Sequence, residues 1–368
     1  MTITQQSPWV LHRGFLHQQD PVTHFPPSSE LSVLDLLGSE LPALLKRSEF
    51  RSDMRALILP EWSNQELHGN IQAYQHLYYL RLGFLASAYI NQVGQPATGL
   101  LPENLALPLV DICQRLNRPP ILSYDGYALY NWYRLDMNKP VQLGNIDTLQ
   151  NFVDLYDEKW FILVHVEIEA LAAEILEQIS TFPFLLSTND RAAIDQALHV
   201  IAQVIGCQEK VLRRIPEHMD PAVYYKSFRP YIRFFEQVRF EGVDIEPINH
   251  RGETGAQSSI MPTLVALMKI PHQPSQLTNH LLDMRRYMPA THRAFIEWVE
   301  TFPDLKPITS AEAFNAVLEA MAGFRRVHYH WAQEYIEKRT EDPLGTGGTP
   351  YMPWLKQLID ETLAHRHV

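Results

Sequence analysis

Apolar residues recur at spacings of three and four along most of this chain, which is the period of an α-helix that buries one face. The spacing begins at Leu31 and continues to about Gln95, with its clearest stretch from Tyr79 to Tyr89. Strict alternation of apolar and polar residues, typical of a half-buried strand, is scarce, and no internal repeat is present. The pattern predicts an all-α fold. Beyond residue 150 it predicts helices over residues 159–180, 188–214, 221–238, 258–270, 276–287, 290–301, 310–338 and 351–365.

Prolines interrupt the helical pattern in the first part of the chain. Residues 1–30 contain four prolines and little periodicity, so we predict an irregular arm there. The Arg118-Pro-Pro120 sequence ends a short helix, because proline lacks a backbone donor and restricts the residue before it. The residues that follow predict a turn that presents Tyr124 and Tyr127.

The composition narrows the classes of protein. Hydrophobic residues make up 46% and charged residues 20% of the chain, and the net charge is −11. No block of Lys and Arg is present, which argues against nucleic-acid binding, because phosphates require clustered positive charge. The most apolar stretch, residues 160–176, contains a histidine and three glutamates, so it is too short and too charged to span a bilayer. The two cysteines, Cys113 and Cys207, form no Cys-x-x-Cys pattern, and no signal peptide is visible. We expect a cytoplasmic protein that binds neither nucleic acid nor a membrane.

The segment from Thr309 to Arg339 predicts one long helix with a histidine in its apolar stripe. Thr309 and Glu312 have the spacing of a capping box, which predicts where the helix begins. His328 is in line with the buried face, whereas His330 falls about 200° further round, on the flank. An imidazole held on a buried helical face can bind a metal ion through one nitrogen. A core histidine with a hydrogen-bonded neighbour would give the same pattern, so the periodicity leaves both readings open.

A second histidine, His165, lies in the apolar stripe of the predicted helix over residues 159–180. A neutral imidazole there could accept a hydrogen bond from a ligand. A core histidine with a satisfied hydrogen bond is again the alternative. The stripe consists of Phe161, His165, Ile168, Ala172, Ile175 and Ile179.

Four short segments in the last third of the chain indicate a protein family. Each one alone is weak evidence, but their order and spacing together are specific. They are Thr254-Gly-Ala-Gln-Ser-Ser259, Asp283-Met-Arg-Arg-Tyr-Met-Pro-Ala-Thr-His-Arg293, His328 and Gly345-Thr-Gly-Gly-Thr349. In this order they resemble the indoleamine 2,3-dioxygenase family, haem proteins that cleave the indole ring of tryptophan with O₂. The resemblance runs from about Tyr79 to Thr349. It implies a haem b cofactor whose iron is bound by His328, because residues 324–336 resemble the family's proximal-ligand helix without a gap.

The resemblance also bears on the domains and on the surroundings of the iron ligand. It implies a small N-terminal helical domain, residues 1–150, and a large C-terminal haem-binding helical domain, residues 151–368, with the haem between them. The best-known members of the family carry an acidic residue where this chain has Val265. The hydrogen-bond partner of the proximal imidazole would therefore differ here, or be water. We interpret the segment over residues 283–293 as structural, and a haem-propionate contact from Arg285 or Arg286 is the alternative.

The resemblance places further residues around the substrate. Phe161 and His165 would lie over the distal face of the haem, where His165 replaces the serine of the mammalian enzymes. We expect His165 to act as a catalytic residue that orients the indole nitrogen or the oxygen. Arg229 matches the arginine that pairs with the carboxylate of the substrate, and a guanidinium offers the planar two-donor fork for that role. Tyr124, Tyr127 and Ala128 would form the wall of the indole pocket, with Tyr127 in place of a smaller side chain.

Four positions complete the implied substrate site. Tyr224 stands where the family commonly has phenylalanine, so its hydroxyl needs a partner in an apolar pocket. Thr254 and Gly255 belong to a segment that passes beside the haem, where small residues allow a close backbone approach. Glu253 interrupts a stretch that the family fills with glycine. Thr346 would contact the substrate ammonium and a haem propionate when its glycine-rich loop closes.

The resemblance implies a dioxygenase of tryptophan catabolism. It would insert O₂ across the indole C2–C3 bond of L-tryptophan, or of a related indoleamine, to give N-formylkynurenine. An electron donor would keep the iron ferrous. Because Tyr127, His165 and Tyr224 alter the pocket, one alternative is an enzyme of the same scaffold that oxidises or rearranges a different indole or aromatic substrate. Another alternative is a haem-binding sensor without turnover.

Overall fold

The computed structural model describes residues 9, 11–65, 67–339, 346 and 351–367, with only the backbone of Ile248. The described chain is predominantly helical, which confirms the predicted all-α class. Most of the predicted loop over residues 345–349, and the first eight residues of the predicted arm, lie outside the described residues. The α-helices are α1 (Val33–Leu44), α2 (Phe50–Ala56), α3 (Ile71–Ile90), α4 (Glu103–Arg115), α5 (Tyr156–Ser187), α6 (Arg191–Leu212), α7 (Pro221–Val223), α8 (Ile260–Met268), α9 (Gln276–Arg285), α10 (Ala290–Glu300), α11 (Ala311–Tyr335) and α12 (Tyr351–Ala364).

Short strands connect parts of the helical framework. Strand β1 pairs in parallel with β4, and β4 pairs antiparallel with β5, which gives the order β1-β4-β5. Strands β2 and β3 form a separate antiparallel pair. The strands are β1 (Leu100–Leu101), β2 (Tyr133–Arg134), β3 (Ile146–Asp147), β4 (Phe235–Phe240) and β5 (Ile248–His250).

The predicted helix over residues 221–238 is wrong. Phe235 and Val238 both face the core although they are three residues apart, because a register shift lies between them and Gln237 adopts a φ of 49°. A bulge of this kind adds one residue to a strand, so its inward spacing imitates that of a helix. The chain runs instead through α7, a π-helical turn (Tyr224–Phe228), a 3₁₀ turn (Arg229–Ile232) and β4.

Two helix boundaries also differ from the prediction. Helix α11 begins after Ser310, whose hydroxyl accepts a hydrogen bond from the backbone N–H of Ala313 at 3.2 Å. The predicted cap, Thr309, instead donates its hydroxyl to the carbonyl of Leu305 at 2.8 Å, so it belongs to the preceding turn. Helix α5 continues beyond residue 180, past Pro183, to its last residue at Ser187.

Two apolar cores hold the chain together. The first surrounds α3 and α4, and the second lies among α5, α6 and α11. Helix α5 contributes to both, since Val166 belongs to the first core and Ile168 to the second. Phe235 and Phe240 of β4 return to the first core, although they come late in the sequence. The division at residue 150 stays a prediction.

The long helices frame the region where the candidate residues meet. Helix α6 packs against both α5 and α11, and α12 packs against α11. His165 on α5 and His328 on α11 are therefore carried by rigid elements of the second core. Within the described residues, every helix is too short or too polar to cross a bilayer.

Candidate active site

One cavity of about 490 Å³ lies among α5, α6, α8, α9, α11 and α12. Its volume is within the range of pockets that hold cofactors and small ligands. Residues 253–256, together with Ser258, pass along one side, and most of the other lining side chains are apolar. The residues on its wall that the sequence singled out are Tyr124, Phe161, His165, Tyr224, Thr254, Gly255, His328 and Thr346.

His328 presents a neutral imidazole to this cavity. The His328 side chain has accessible surface, and that surface faces the cavity. The surrounding protein atoms still disfavour a charge on the ring. Burial, with a smaller contribution from the charge of His165, lowers the pKa of His328 to about 4. Within the described part of the chain, no hydrogen bond to its ring is present, and no carboxylate takes the place of the acidic residue that Val265 replaces. A neutral imidazole with an available nitrogen is what a haem iron requires.

His165 lies on the wall of the same cavity with a fixed tautomer. Its Nδ1 is 2.7 Å from the carbonyl oxygen of Phe161, and since a carbonyl only accepts, Nδ1 carries the proton and donates. Burial lowers the pKa of His165, so the ring is neutral at pH 7. The edge contact with the Tyr124 ring, at 6.0 Å between centroids, also restrains it. Nε2 is therefore left as a hydrogen-bond acceptor.

Glu169 joins two neighbouring elements beside His165. The Tyr124 hydroxyl donates to Glu169 Oε1 at 2.9 Å, and the Ser258 hydroxyl donates to the same oxygen at 2.5 Å. Burial raises the pKa of Glu169 to about 7, and these two hydrogen bonds oppose that rise. The network fixes Tyr124 against α5 and sets one polar edge of an otherwise apolar cavity.

Glu253 is a second carboxyl group on the cavity wall. Burial alone raises the pKa of Glu253 to about 8. Neither acid was predicted to be a site residue. Glu169 could have been found, because it lies four residues after His165 on the same helical face. For Glu253 the only signal was a charged residue within a run of small ones.

Two of the predicted pocket residues lie away from the cavity wall. The Tyr127 hydroxyl donates to Glu158 Oε1 at 3.1 Å, and the Tyr127 ring stacks on Phe84 at 5.6 Å between centroids. Ala128 is buried next to Tyr127 in a π-helical turn formed by Asp125–Leu129. The Tyr127 ring contacts the cavity residue Phe161, at 6.3 Å between centroids. Direct contact of these two residues with a substrate stays a prediction.

Arg229 lies behind the wall rather than on it. The residue is buried, and its guanidinium lies 5.2 Å from the centre of the Tyr225 ring. Burial raises the pKa of Tyr224 to about 12, while the nearby charge of Arg229 acts in the opposite direction. Tyr224 lines the cavity, and Arg229 lies close to it without reaching the wall.

Two glycines of the segment before α8 have different surroundings: backbone atoms crowd Gly252, whereas the space around Gly255 is empty. A Cβ on Gly252 would overlap the carbonyl oxygen of Ile232, so no larger residue fits there without a backbone shift. Gln257 Nε2 donates to the Gly252 carbonyl at 2.9 Å, while Gln257 Oε1 accepts from the Tyr124 N–H at 2.8 Å. Gly255 has open space around its Cβ position and faces the cavity. The close approach of this segment to the haem stays a prediction.

Thr346 is the one residue of the predicted loop over residues 345–349 that the structure describes. Its hydroxyl donates to the backbone carbonyl of Glu253 at 2.6 Å, and the residue is buried on the cavity wall. The loop is therefore fixed at this point to the segment that carries Glu253.

A second polar cluster lies outside the cavity. His17 Nε2 is 3.1 Å from Asp125 Oδ1, and His76 Nδ1 is 3.6 Å from Asp125 Oδ2, a spacing at which three ligands could hold a metal ion. The buried guanidinium of Arg118 pairs with the same carboxylate. Because that charge already balances Asp125 and would repel a dication, we interpret the cluster as a structural ion pair.

Comparisons with known proteins agree with the resemblance. Residues 10–342 match the family model described as indoleamine 2,3-dioxygenase. The chain is 29% identical to indoleamine 2,3-dioxygenase 1 of Mus musculus, over 89% of this chain and 87% of the relative. It is 26% identical to a protein of Haliotis madaka named myoglobin, over 89% of each chain. It is 25% identical to a 6-hydroxytryptophan 2,3-dioxygenase of Fusarium equiseti, over 96% of this chain and 95% of the relative.

Proposed function

Because this chain belongs to the indoleamine 2,3-dioxygenase family, we propose that it inserts O₂ across the indole C2–C3 bond of L-tryptophan, or of a related indoleamine, to give N-formylkynurenine. Family membership makes it a haem-dependent oxidoreductase. The observation that carries the assignment to this cavity is the neutral imidazole of His328 on its wall, without a competing hydrogen bond within the described residues.

The cavity residues fit a porphyrin. His328 would hold the iron through the nitrogen that faces the cavity, and α11 would keep that ring in place. When bound, ferrous haem b supplies the O₂ chemistry that protein side chains lack. The apolar side chains around the cavity would exclude water from the reacting groups, which strengthens every hydrogen bond made there.

His165 would receive the indole N–H. Since Nδ1–H is committed to the Phe161 carbonyl, Nε2 is the acceptor that remains for a ligand. A hydrogen bond from the indole nitrogen would fix the orientation of the ring and could take up positive charge that develops on it. Phe161, which packs on His165 at 4.5 Å between centroids, would bound the same side of the indole.

Arg229 would bind the carboxylate of the substrate. A guanidinium stays charged when buried and offers two parallel donors. Arg229 lies next to the wall, and its charge acts on the Tyr224 hydroxyl, so this hydroxyl would lie beside the bound carboxylate and act as a further donor. Thr346 would close over the amino end of the substrate, and Thr254 and Gly255 would line the same side.

Product identification tests this function. Reduced, haem-loaded protein is incubated with L-tryptophan and O₂, and the products are identified by mass spectrometry. N-formylkynurenine is the expected product. If haem and tryptophan bind, as seen in the optical spectrum, but no product forms, the protein is a haem-binding sensor or carrier, the role suggested by the relative named myoglobin.

A related aromatic substrate is the second candidate. The extra hydroxyl of Tyr224 and the carboxyl of Glu253 make the cavity more polar than an unsubstituted indole requires, and one relative is named for a hydroxylated tryptophan. Parallel incubations with L-tryptophan and 6-hydroxytryptophan decide between them. A kcat/KM at least tenfold higher for the hydroxylated compound would favour this candidate.

The remaining proposals concern the cell. We place the protein in the cytoplasm with an electron donor that keeps the iron ferrous. Both cysteines are free in the structure, Cys113 buried and Cys207 exposed, which suits a reducing compartment. Separating a cell lysate into fractions and measuring reduction of the ferric protein by the soluble fraction tests both points.

A further inference from the structure

Three buried carboxyl groups lie in or near the cavity, and they differ in their donors. Glu158 accepts from the Tyr127 hydroxyl and from two backbone N–H groups, at 2.8–3.1 Å. Glu169 accepts from the hydroxyls of Tyr124 and Ser258. Glu253 is only 2% exposed, yet among the residues that the structure describes no donor reaches its carboxyl group. A buried carboxyl without a partner is costly, so a donor from a ligand would stabilise it.

Among the described residues, no charged group compensates for the burial of Glu253. Desolvation raises its pKa, and no cation in that part of the chain opposes the rise. The arginines on the cavity wall are engaged elsewhere, since Arg285 pairs with Glu300 at 2.7 Å and Arg325 donates to the Leu358 carbonyl at 2.8 Å. The cavity therefore offers an uncompensated acid to whatever enters it.

Glu253 and Arg229 both act electrostatically on Tyr224. Burial is the main cause of the raised pKa of Tyr224, the charge of Arg229 lowers it, and the charge of Glu253 raises it. Tyr224 is thus within electrostatic range of a cation and an acid. An α-amino acid carries an ammonium and a carboxylate a few ångströms apart, so an acid on the cavity wall and a cation close behind it match its two charged groups. The backbone carbonyl of Glu253 also accepts a hydrogen bond from the Thr346 hydroxyl, so Thr346 lies beside Glu253 on the cavity wall.

We propose that the Glu253 side chain binds the ammonium group of the substrate directly and makes the site selective for indoles with a free amine. The inference rests on the proposed function and adds a specificity-determining residue to it. A carboxylate bonded to an ammonium in a dry pocket forms a charge-assisted hydrogen bond, which is stronger than one to the Thr346 hydroxyl alone. Selectivity follows because an indole without the amine leaves the buried acid without a partner.

Equilibrium binding to the haem-loaded full chain tests the proposal. The ligands are L-tryptophan, tryptamine, which lacks the carboxylate, and indole-3-propionate, which lacks the amine; the readout is the shift of the Soret band. Glu253→Gln should weaken L-tryptophan and tryptamine about 10- to 100-fold and leave indole-3-propionate unchanged or tighter. The matched control is Glu236→Gln, which removes one negative charge from an exposed position and should change none of the three.

Several outcomes would overturn the inference. Equal losses for all three ligands, or no change for any, would remove the amine-binding role. Loss of haem from Glu253→Gln would assign the carboxyl to the porphyrin instead. Glu253→Asp keeps the charge on a shorter side chain, so it should retain most of the preference for tryptamine over indole-3-propionate. Absence of N-formylkynurenine with amine selectivity intact would overturn the proposed function alone, whereas product formation with unchanged selectivity would overturn only the role of Glu253.

Discussion

His165 and His328 line one cavity, and a positive charge on His165 would lower the pKa of His328. Burial is the larger cause of that low pKa, so both rings are neutral at pH 7. They differ in their bonding. His165 Nδ1 is fixed by the Phe161 carbonyl at 2.7 Å, whereas no hydrogen bond to the His328 ring is present in the described chain. One ring is thus oriented as an acceptor, and the other is available to a metal.

Replacing His328 should remove the haem. In His328→Ala the cavity loses the only imidazole that α11 presents to it among the described residues, so we expect no haem after purification and no Soret band. The matched control is His330→Ala. His330 is exposed and packs on the Trp331 ring at 4.8 Å, so this variant should keep the normal spectrum. An unchanged Soret band in His328→Ala would transfer the ligand role to another side chain.

Replacing His165 should impair turnover and spare the haem. His165→Ala removes the acceptor at Nε2, and we expect kcat/KM for L-tryptophan to fall about 10- to 100-fold with the Soret band retained. The control is a substrate methylated on the indole nitrogen, which has no N–H to donate. With that substrate, variant and parent should differ by less than threefold. An equal loss for both substrates would mean that His165 acts on oxygen or on packing rather than on the indole N–H.

The fold followed from the sequence wherever one helical face is buried. The predicted helices of the second half correspond to α5, α6 and α8 to α12. Apolar residues of α5, α6, α8, α10 and α11 pack into the second core, whereas Met284 of α9 belongs to the first. The spacing of apolar residues gave a wrong prediction at β4. A bulge at Gln237 places two core-facing residues of this strand three positions apart, as in a helix. The spacing also described α3 incompletely. From His76 to Ile90 every residue of α3 is buried, so this helix has no polar face to detect.

The site was only partly accessible to sequence reasoning. His165 and His328 were found because each lies in an apolar stripe, which is a local property. The burial of Glu253 could not be predicted in this way, because the cavity around it is built from distant parts of the chain. The resemblance alone also could not predict that Tyr224 lines the cavity and Arg229 does not. That difference depends on how the π-helical turn at residues 224–228 folds.

Two glycines of one segment should respond differently to a methyl group. Gly252→Ala places Cβ against the carbonyl oxygen of Ile232 and the carbonyl carbon of Arg233, both backbone atoms that cannot move aside. We expect the free energy of unfolding to fall by about 2–4 kcal/mol. Gly255→Ala is the control: nothing lies within 4 Å of its Cβ position, so the change should be less than about 1 kcal/mol. Equal effects, measured by urea unfolding of the haem-free protein, would contradict the tight packing at Gly252.

The stability of the haem-free protein should fall with rising pH because of Glu253. Burial raises its pKa to about 8 in the folded state, against 4.5 for an ordinary glutamate. Between these values the folded protein keeps a proton that the unfolded chain has released, so stability decreases as pH rises and becomes level above about pH 8. Glu158 and Glu169, with pKa values of about 7, act in the same direction.

Glu253→Gln isolates the contribution of this one group. The amide does not ionise, so the variant lacks the Glu253 part of the decrease, whereas Glu158 and Glu169 still contribute theirs. Thermal midpoints of parent and variant are compared from pH 5 to pH 9 without haem. The variant should gain stability relative to the parent as pH rises, with most of the gain complete by about pH 8. A difference that stays constant across this range would mean that the Glu253 carboxyl is solvated, and that it has no need of a cation from the substrate.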